Sequence, residues 1–253
     1  MESCALNGFY TTSQRARFYA AVPQRRSVRA FLAAPDVAQV SALAFSAQRL
    51  ALPGVRIELG QAPDDRLYRG VPFVDKIMGS GKYAALIIDG AAQDALLFAG
   101  VSGEAFALEA VSLGLGTCWV SGTYRKSAVD VAVGEGERLA AIIALGVPAK
   151  DRVKRTPRKK LTEICMSDPT GWPLWAFNAA ECVRVAPSAL NRQPWRLSFA
   201  GRTMLLEKTA FAGELDMGIA LLHMSLGLEE REHVIRISHE GRQVATLNSE
   251  DRA

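Results

Sequence analysis

The sequence is poor in the residues and patterns that mark many specialised proteins. Its 253 residues include four cysteines and three histidines. Cys4, Cys118, Cys165 and Cys182 form no C-x-x-C pair, and their wide spacing argues for reduced thiols rather than a disulfide framework. His223, His233 and His239 form no H-x-x-x-H or H-E-x-x-H arrangement, so no metal site is expected. The longest uninterrupted apolar run, Leu139–Leu145, has seven residues. A membrane-spanning helix needs ~20, so no membrane partner is expected. Residues 1–20 carry Arg15 and Arg17 with no apolar stretch after them. No secretory signal is read there, and the expected location is cytoplasmic. Gly79-Ser80-Gly81-Lys82 looks like the end of a phosphate loop, but Lys76 stands where its first glycine belongs and Tyr83 where a hydroxyl residue belongs. No G-x-S-x-G surrounds Ser102 or Ser121. Nucleoside-triphosphate chemistry and the hydrolase elbow are thereby set aside.

What is present is ordinary globular composition, with 49% hydrophobic and 22% charged residues, too apolar for a disordered chain. The length suits one large domain or two small ones. Thirty basic and 26 acidic residues leave a net charge of +4. Part of it is concentrated in Lys150, Arg152, Lys154, Arg155, Arg158, Lys159 and Lys160. That cluster reads as a solvated loop, a phosphate site or a nucleic-acid patch. Arg–aromatic interleaving, zinc-finger spacing and basic heptads are all missing, so no nucleic-acid partner is expected.

The apolar patterning predicts a helix over 36–50 capped by Asp36, a strand over 55–59 and a buried strand over 83–89. A helix over 104–115, apolar on nearly every side, must be buried all round. Strands follow over 117–120 and 138–145. Beyond Pro169 and Pro173 come a helix over 174–185 and a hairpin of 195–199 with 204–207. A second apolar helix over 215–228 and a hairpin of 233–238 with 243–247 complete the pattern. Residues 1–22 show only weak periodicity.

An internal repeat links the two halves. FALEAVSLGLG at 106–116 aligns with IALLHMSLGLE at 219–229, an offset of 113 residues with six of eleven positions identical. The order helix, hairpin, buried helix, strand, strand recurs around both. The expectation is an α+β fold of two related half-units, residues 1–168 and 169–253. Their central buried helices would pack together as an intrachain pseudo-dimer. The halves differ in one respect. Arg25-Arg26-Ser27-Val28-Arg29 occurs only in the first, and the loop Ala186–Trp195 (APSALNRQPW) only in the second.

The arginine segment reads as an exposed basic turn or as an anion site, since guanidinium presents a planar fork of donors to phosphate. The loop is bracketed by Pro187 and Pro194 and offers Ser188 and Asn191. Arg158 could add a phosphate contact. In Gly116-Thr117-Cys118-Trp119-Val120-Ser121-Gly122 the glycines permit close approach of backbone to a ligand. Cys118 is read as a packing residue.

Together, RRSVRAF at 25–31, LGLGTCWVSG at 113–122, ALGVPAKDRVKRTPRKKL at 144–161 and APSALNRQPW at 186–195 resemble the signatures of the nitroreductase family. These are FMN-dependent, NAD(P)H-using oxidoreductases. The late position of the last motif resembles the tandem branch of that family, in which one chain mimics the usual homodimer. The resemblance implies FMN as cofactor, NADH or NADPH as reductant, and a nitroaromatic or quinone-like acceptor served in a ping-pong scheme. It implies that Arg25, Arg26, Ser27 and Arg29 bind the FMN phosphate, ribityl chain and pyrimidine edge. Arg158 would bind the phosphate, the backbone of Ser121 and Gly122 would lie near N5, and Pro187, Ser188 and Asn191 would line the dimethylbenzene side and ribityl chain. Thr123 stands where an aromatic is frequent and Ala189 where a serine is. No catalytic side chain is assigned, because the flavin carries the hydride chemistry. A flavin-binding or storage relative without turnover is the alternative. The chain could act as a monomer or as a homodimer.

Overall fold

The computed structural model describes residues 6, 8–62, 65–70, 76–149, 153, 156–228 and 233–249. In chain order these form α1 (Thr12–Ala21), β1 (Phe31–Ala33), α2 (Val37–Arg49), β2 (Val55–Ala62), β3 (Gly81–Asp89) and α3 (Ala95–Ser112). There follow β4 (Gly116–Val120), β5 (Glu137–Pro148), α4 (Leu161–Ile164), α5 (Leu174–Val185), β6 (Trp195–Ala200), β7 (Thr203–Lys208), α6 (Glu214–Leu226), β8 (His233–Ile237) and β9 (Gln243–Ser249). The chain divides into a central unit, residues 23–156, and a terminal unit made of residues 1–22 and 157–253. This corrects the expected boundary after residue 168. Residues 157–160 and the N-terminal 22 residues both go with the C-terminal part.

In the central unit β3 lies between β2 and β5, and β5 also pairs with β4 and β1. All pairings are antiparallel. The run Tyr83–Ile88 is continuous in apolar residues because both faces of β3 are covered. Tyr83, Ala85 and Ile87 share a cluster with Cys118, Val120, Ile142 and Ala144. On the opposite face Leu86 lies against Gly103 of α3. Helix α2 starts where the sequence predicts, with Asp36 accepting from the Gln39 N–H and Gln39 returning to the Asp36 N–H.

Helix α3 begins nine residues before the predicted start at Glu104. Gly100 and Gly103 dilute the helical signal, yet Gly103 has a packing reason. A Cβ there would lie 2.4 Å from the Trp119 ring. By length and composition α3 could cross a membrane, but 83% of it is buried inside the protein. It is a core helix, as the all-round apolar pattern requires.

The segment after β4 is anchored back on the sheet. The Tyr83 hydroxyl donates to Asp130 Oδ1 at 2.5 Å, and the Gln61 N–H donates to the same carboxylate. Burial, then the Asp130 hydrogen bond, push the Tyr83 hydroxyl well above its ordinary pKa.

In the terminal unit the sheet order is β6-β7-β9-β8, again antiparallel. Helix α5 packs on α6. Helix α1, absent from the sequence reading, packs on α6 as well. Tyr10 donates to Ser225 Oγ at 2.7 Å, and Arg15 donates to the Leu228 carbonyl. Burial, outweighing the Ser225 hydrogen bond, pushes the Tyr10 hydroxyl up to about 12. Only Phe18 and Ala21 of α1 are buried, which is why the apolar period is weak. His223 is fully buried, with Nδ1 2.9 Å from the Cys182 carbonyl oxygen. It is a satisfied core histidine, as expected.

The two sheets correspond strand by strand. Read from the edge, β2-β3-β5-β4 matches β6-β7-β9-β8, with a hairpin, a buried helix and two further strands in the same order. The repeat serines behave alike: Ser112 donates to the Glu109 carbonyl and Ser225 to the Leu222 carbonyl, each at 2.7 Å. The repeat glycines do not. Gly114 has φ +80° with open space around it, the left-handed position that ends a helix. Gly227 has an ordinary φ of −70°, but a Cβ would stand 2.3 Å from the backbone of Ala179 on α5. Gly114→Ala should therefore cost about 1 kcal/mol of backbone strain. Gly227→Ala should cost more, about 1–3 kcal/mol or above, because α5 must move. Urea unfolding of both checks this, with Gly171→Ala, in open space at ordinary φ, as the neutral reference. The reverse order of losses would refute the packing role of Gly227.

Candidate functional site

The residues predicted to bind a ligand gather into two clusters, one in each unit. In the central unit the chain from Arg25 to Val28 runs beside β4. Ser27 bridges Thr117 in parallel register, and the Val28 N–H donates to the Thr117 carbonyl at 2.9 Å. The fit is close, since a Cβ at Gly116 would meet the Val28 side chain at 2.9 Å. The close approach predicted for that glycine is thus to the protein's own chain. Gly122 is different: nothing lies within 4 Å of a Cβ placed there, and it and Ser121 are exposed.

The side chains of the segment separate by exposure. Arg25 is 3% exposed, while Arg26, Ser27 and Arg29 are half-buried. Arg26 folds back locally, donating to the carbonyls of Pro23 and Arg25. Arg29 carries the chain onward through its carbonyl, which accepts from the Met78 N–H. Among the described residues its guanidinium has no hydrogen-bond partner. Arg25 turns inward, with Nε 3.5 Å from Glu104 Oε1, and both side chains are essentially inaccessible. Glu104 also accepts from Trp119 Nε1 at 2.7 Å. The sequence reading missed Glu104. The available signal was a carboxylate within a largely apolar stretch, a feature it shares with Glu109.

Two buried polar atoms here have no hydrogen-bond partner, Arg25 Nη1 and Thr117 Oγ1. Leaving such a group unsatisfied costs about 1–3 kcal/mol, so each calls for a partner from outside the protein. The local field is positive. Burial raises the Cys118 thiol pKa, while Arg29 and Arg25 pull it down, so both guanidiniums act at β4. Cys118 itself is a buried member of the core, as expected.

In the terminal unit the loop after α5 is held in a costly shape. Leu190, Asn191 and Gln193 have φ of 51°, 55° and 47°, the left-handed region that non-glycine residues seldom adopt. Several bonds over-determine it. The Gln193 N–H donates to Ser188 Oγ at 2.8 Å and the Ala189 N–H to Asp216 Oδ1 at 2.9 Å. Burial raises the Asp216 pKa, against the Ala189 hydrogen bond and Arg192, which lower it. Pro187 is buried and Ser188 and Asn191 are half-buried.

This loop also grips the segment after Pro157. Asn191 Nδ2 donates to the Pro157 carbonyl at 2.8 Å, and Arg158 donates to Asn191 Oδ1. The Lys159 N–H and Nζ donate to Gln193 Oε1 and the Gln193 carbonyl, each at 3.0 Å. Arg158, Ser188 and Asn191 are thus brought together, with Gln193 and Lys159 as additional members. Gln193 was visible only as part of the NRQPW motif. Trp195, fully buried at the end of the loop, has an indole N–H without a partner. Of the basic cluster, Lys150, Arg152, Lys154 and Arg155 lie outside the described residues. Among the described residues no group of three or more His, Cys, Asp or Glu could hold a metal ion.

Comparison with known proteins now gives these clusters a context. No curated protein matches the chain. Among solved structures, a "putative nitroreductase" from Thermotoga maritima shares 23% identity over 92% of this chain and 93% of its own, with a TM-score of 0.66. This likeness establishes a common fold. A "putative nitroreductase in complex with FMN" from Desulfovibrio desulfuricans shares 20% identity over 60% of this chain and 96% of its own, at a TM-score of 0.48. An "FMN-dependent nitroreductase" from Clostridium difficile shares 16% over 60% and 95%, at 0.43. The sequence profile of the family described as "Putative TM nitroreductase" matches residues 17–228, a span that contains both clusters. The chain belongs to that nitroreductase family.

Proposed function

We propose that the protein is an FMN-dependent NAD(P)H oxidoreductase of nitroreductase type, binding one FMN per chain. The observation that carries the reading is the pair of buried, unpartnered donors, Arg25 Nη1 and Thr117 Oγ1, in a segment within the family match. Buried polar groups without partners in the protein suit a ligand that is itself polar, and the surplus of arginine suits an anionic one. When bound, FMN would supply hydride chemistry, taking two electrons at N5 from NADH or NADPH and passing them to a nitroaromatic or quinone-like acceptor in a ping-pong order.

The chain's own residues bind and orient. Arg25 would hold the phosphate and Ser27 the ribityl chain, with Arg26 shaping the turn through its bonds to the carbonyls of Pro23 and Arg25. Arg29 would face the pyrimidine edge, placing a positive charge where reduction adds negative charge. Ser121 and Gly122 offer an open stretch of backbone for N5. Arg158, Pro187, Ser188 and Asn191 are the further residues that the family resemblance assigns to flavin binding. The stiff loop of residues 186–195 would lose little conformational freedom on binding. The matching strand orders of the two sheets support reading the units as related halves.

Purified protein should be yellow, hold one FMN per chain, and bleach when NADH or NADPH is added without oxygen. A colourless protein that ignores added FMN would sink the reading, whereas flavin binding without bleaching would favour a storage role. Arg29→Ala and Asn191→Ala should each weaken FMN binding about tenfold or more, the size expected for a lost charge-assisted contact. Fluorescence titration reads both. Full affinity in Asn191→Ala would exclude the second cluster from the site.

A further inference from the structure

The Arg25–Glu104–Trp119 arrangement is costly for a merely structural element. Glu104 sits on α3 among mostly apolar buried residues, and its side chain has no exposure. Burying a carboxylate in such surroundings costs several kcal/mol unless its partners are well placed. An apolar side chain of similar volume would often serve packing as well or better. The partners here are asymmetric. Trp119 Nε1 gives Oε2 a short hydrogen bond of 2.7 Å, while Arg25 Nε stands off at 3.5 Å from Oε1. Glu104 therefore takes only the inner edge of the guanidinium. Nη1 remains without a partner, although it is buried. A guanidinium has five donors in a rigid fork, so fixing one edge fixes where the other donors point.

We infer that Glu104 is a positioning residue: it holds Arg25 by Nε so that the remaining guanidinium donors are presented to the phosphate of FMN. The inference rests on the flavin reading above. Trp119 fixes the carboxylate from the other side, and its ring lies over Gly103, where only a glycine leaves room. Position 103 therefore sets the depth of the indole, the indole sets the carboxylate, and the carboxylate sets the arginine. Thr117 Oγ1 is the second buried group without a partner on this stretch. It stands on β4 at the bridge to Ser27 and would offer the same anion a hydroxyl.

The test compares FMN with riboflavin, which carries the same ring and ribityl chain without the phosphate. Glu104→Gln keeps an acceptor for Trp119 but removes the charge that orients Arg25. It should lower FMN affinity about tenfold or more and leave riboflavin affinity unchanged. Arg25→Met should do the same, and the double variant should lose no more than Arg25→Met alone, as expected for residues acting through one another. Should Glu104→Gln fail to fold, Glu104→Asp keeps the charge and withdraws the carboxylate by one methylene. It should show a smaller loss of the same kind. A folded Glu104 variant with the wild-type FMN-to-riboflavin ratio overturns the inference, and so does a fall in both affinities together, which is the mark of a purely structural role. Wild-type protein that binds neither flavin overturns the flavin reading itself, a result distinct from the other two.

Discussion

A fully buried carboxylate on the largely apolar helix α3 constrains much of the central unit. Glu104 can remain buried only if donors reach it, and Trp119 and Arg25 reach it from different parts of the chain. Trp119 comes from β4 and Arg25 from the segment before β1. That demand ties the 25–29 stretch to the helix side of the sheet. The parallel bridge at Ser27 and the packing of Val28 on Gly116 then follow. The alternation of β4 completes the arrangement: Thr117 and Trp119 point to the helix layer, Cys118 and Val120 to the second core. An arginine in so dry a place would otherwise be too costly to bury.

The terminal unit solves a comparable problem with backbone rather than charge. Three left-handed residues within four positions would each cost about 1 kcal/mol or more if left to themselves. Side-chain bonds from Ser188, Asp216, Asn191 and Gln193 hold the loop in place. Strain of this kind persists where the surroundings over-determine it, and such places are enriched in binding sites. The two clusters are thus held by different means, one through a buried ion pair and the other through a set of hydrogen bonds centred on Asn191 and Gln193.

Much of the fold was legible because period and punctuation agree. Asp36 marked the start of α2, and the unbroken apolar run at 83–88 read as a buried strand. The identical SLGL segments led to two sheets with one strand order. What escaped notice did so for physical reasons. Helix α1 buries two residues and so lacks a stripe, although Thr11 and Gln14 carry a capping signature. The first turns of α3 were hidden by glycines whose purpose is visible only when Trp119 is seen above Gly103. The boundary between units fell at 157, not 168, because Asn191 and Gln193 seize residues 157–159 from a distance. Glu104 is the sharpest omission in the site. Sequence shows that a carboxylate is there, but only geometry shows which arginine it commands.

The division of the chain also imposes an order on synthesis. The central unit is one continuous stretch, and all its strands and helices are available once residue 156 has emerged. Helix α1 leaves the ribosome first, yet its hydrogen bond from Tyr10 reaches a serine 215 residues later. At ~5–20 residues per second, the N-terminal segment waits on the order of 10–40 s for its partner. During that wait it has few apolar groups to hide, since only Phe18 and Ala21 are buried in the finished fold. The same sparse apolar stripe that made α1 hard to find in the sequence makes it a safe segment to leave unpartnered until the rest of the chain arrives.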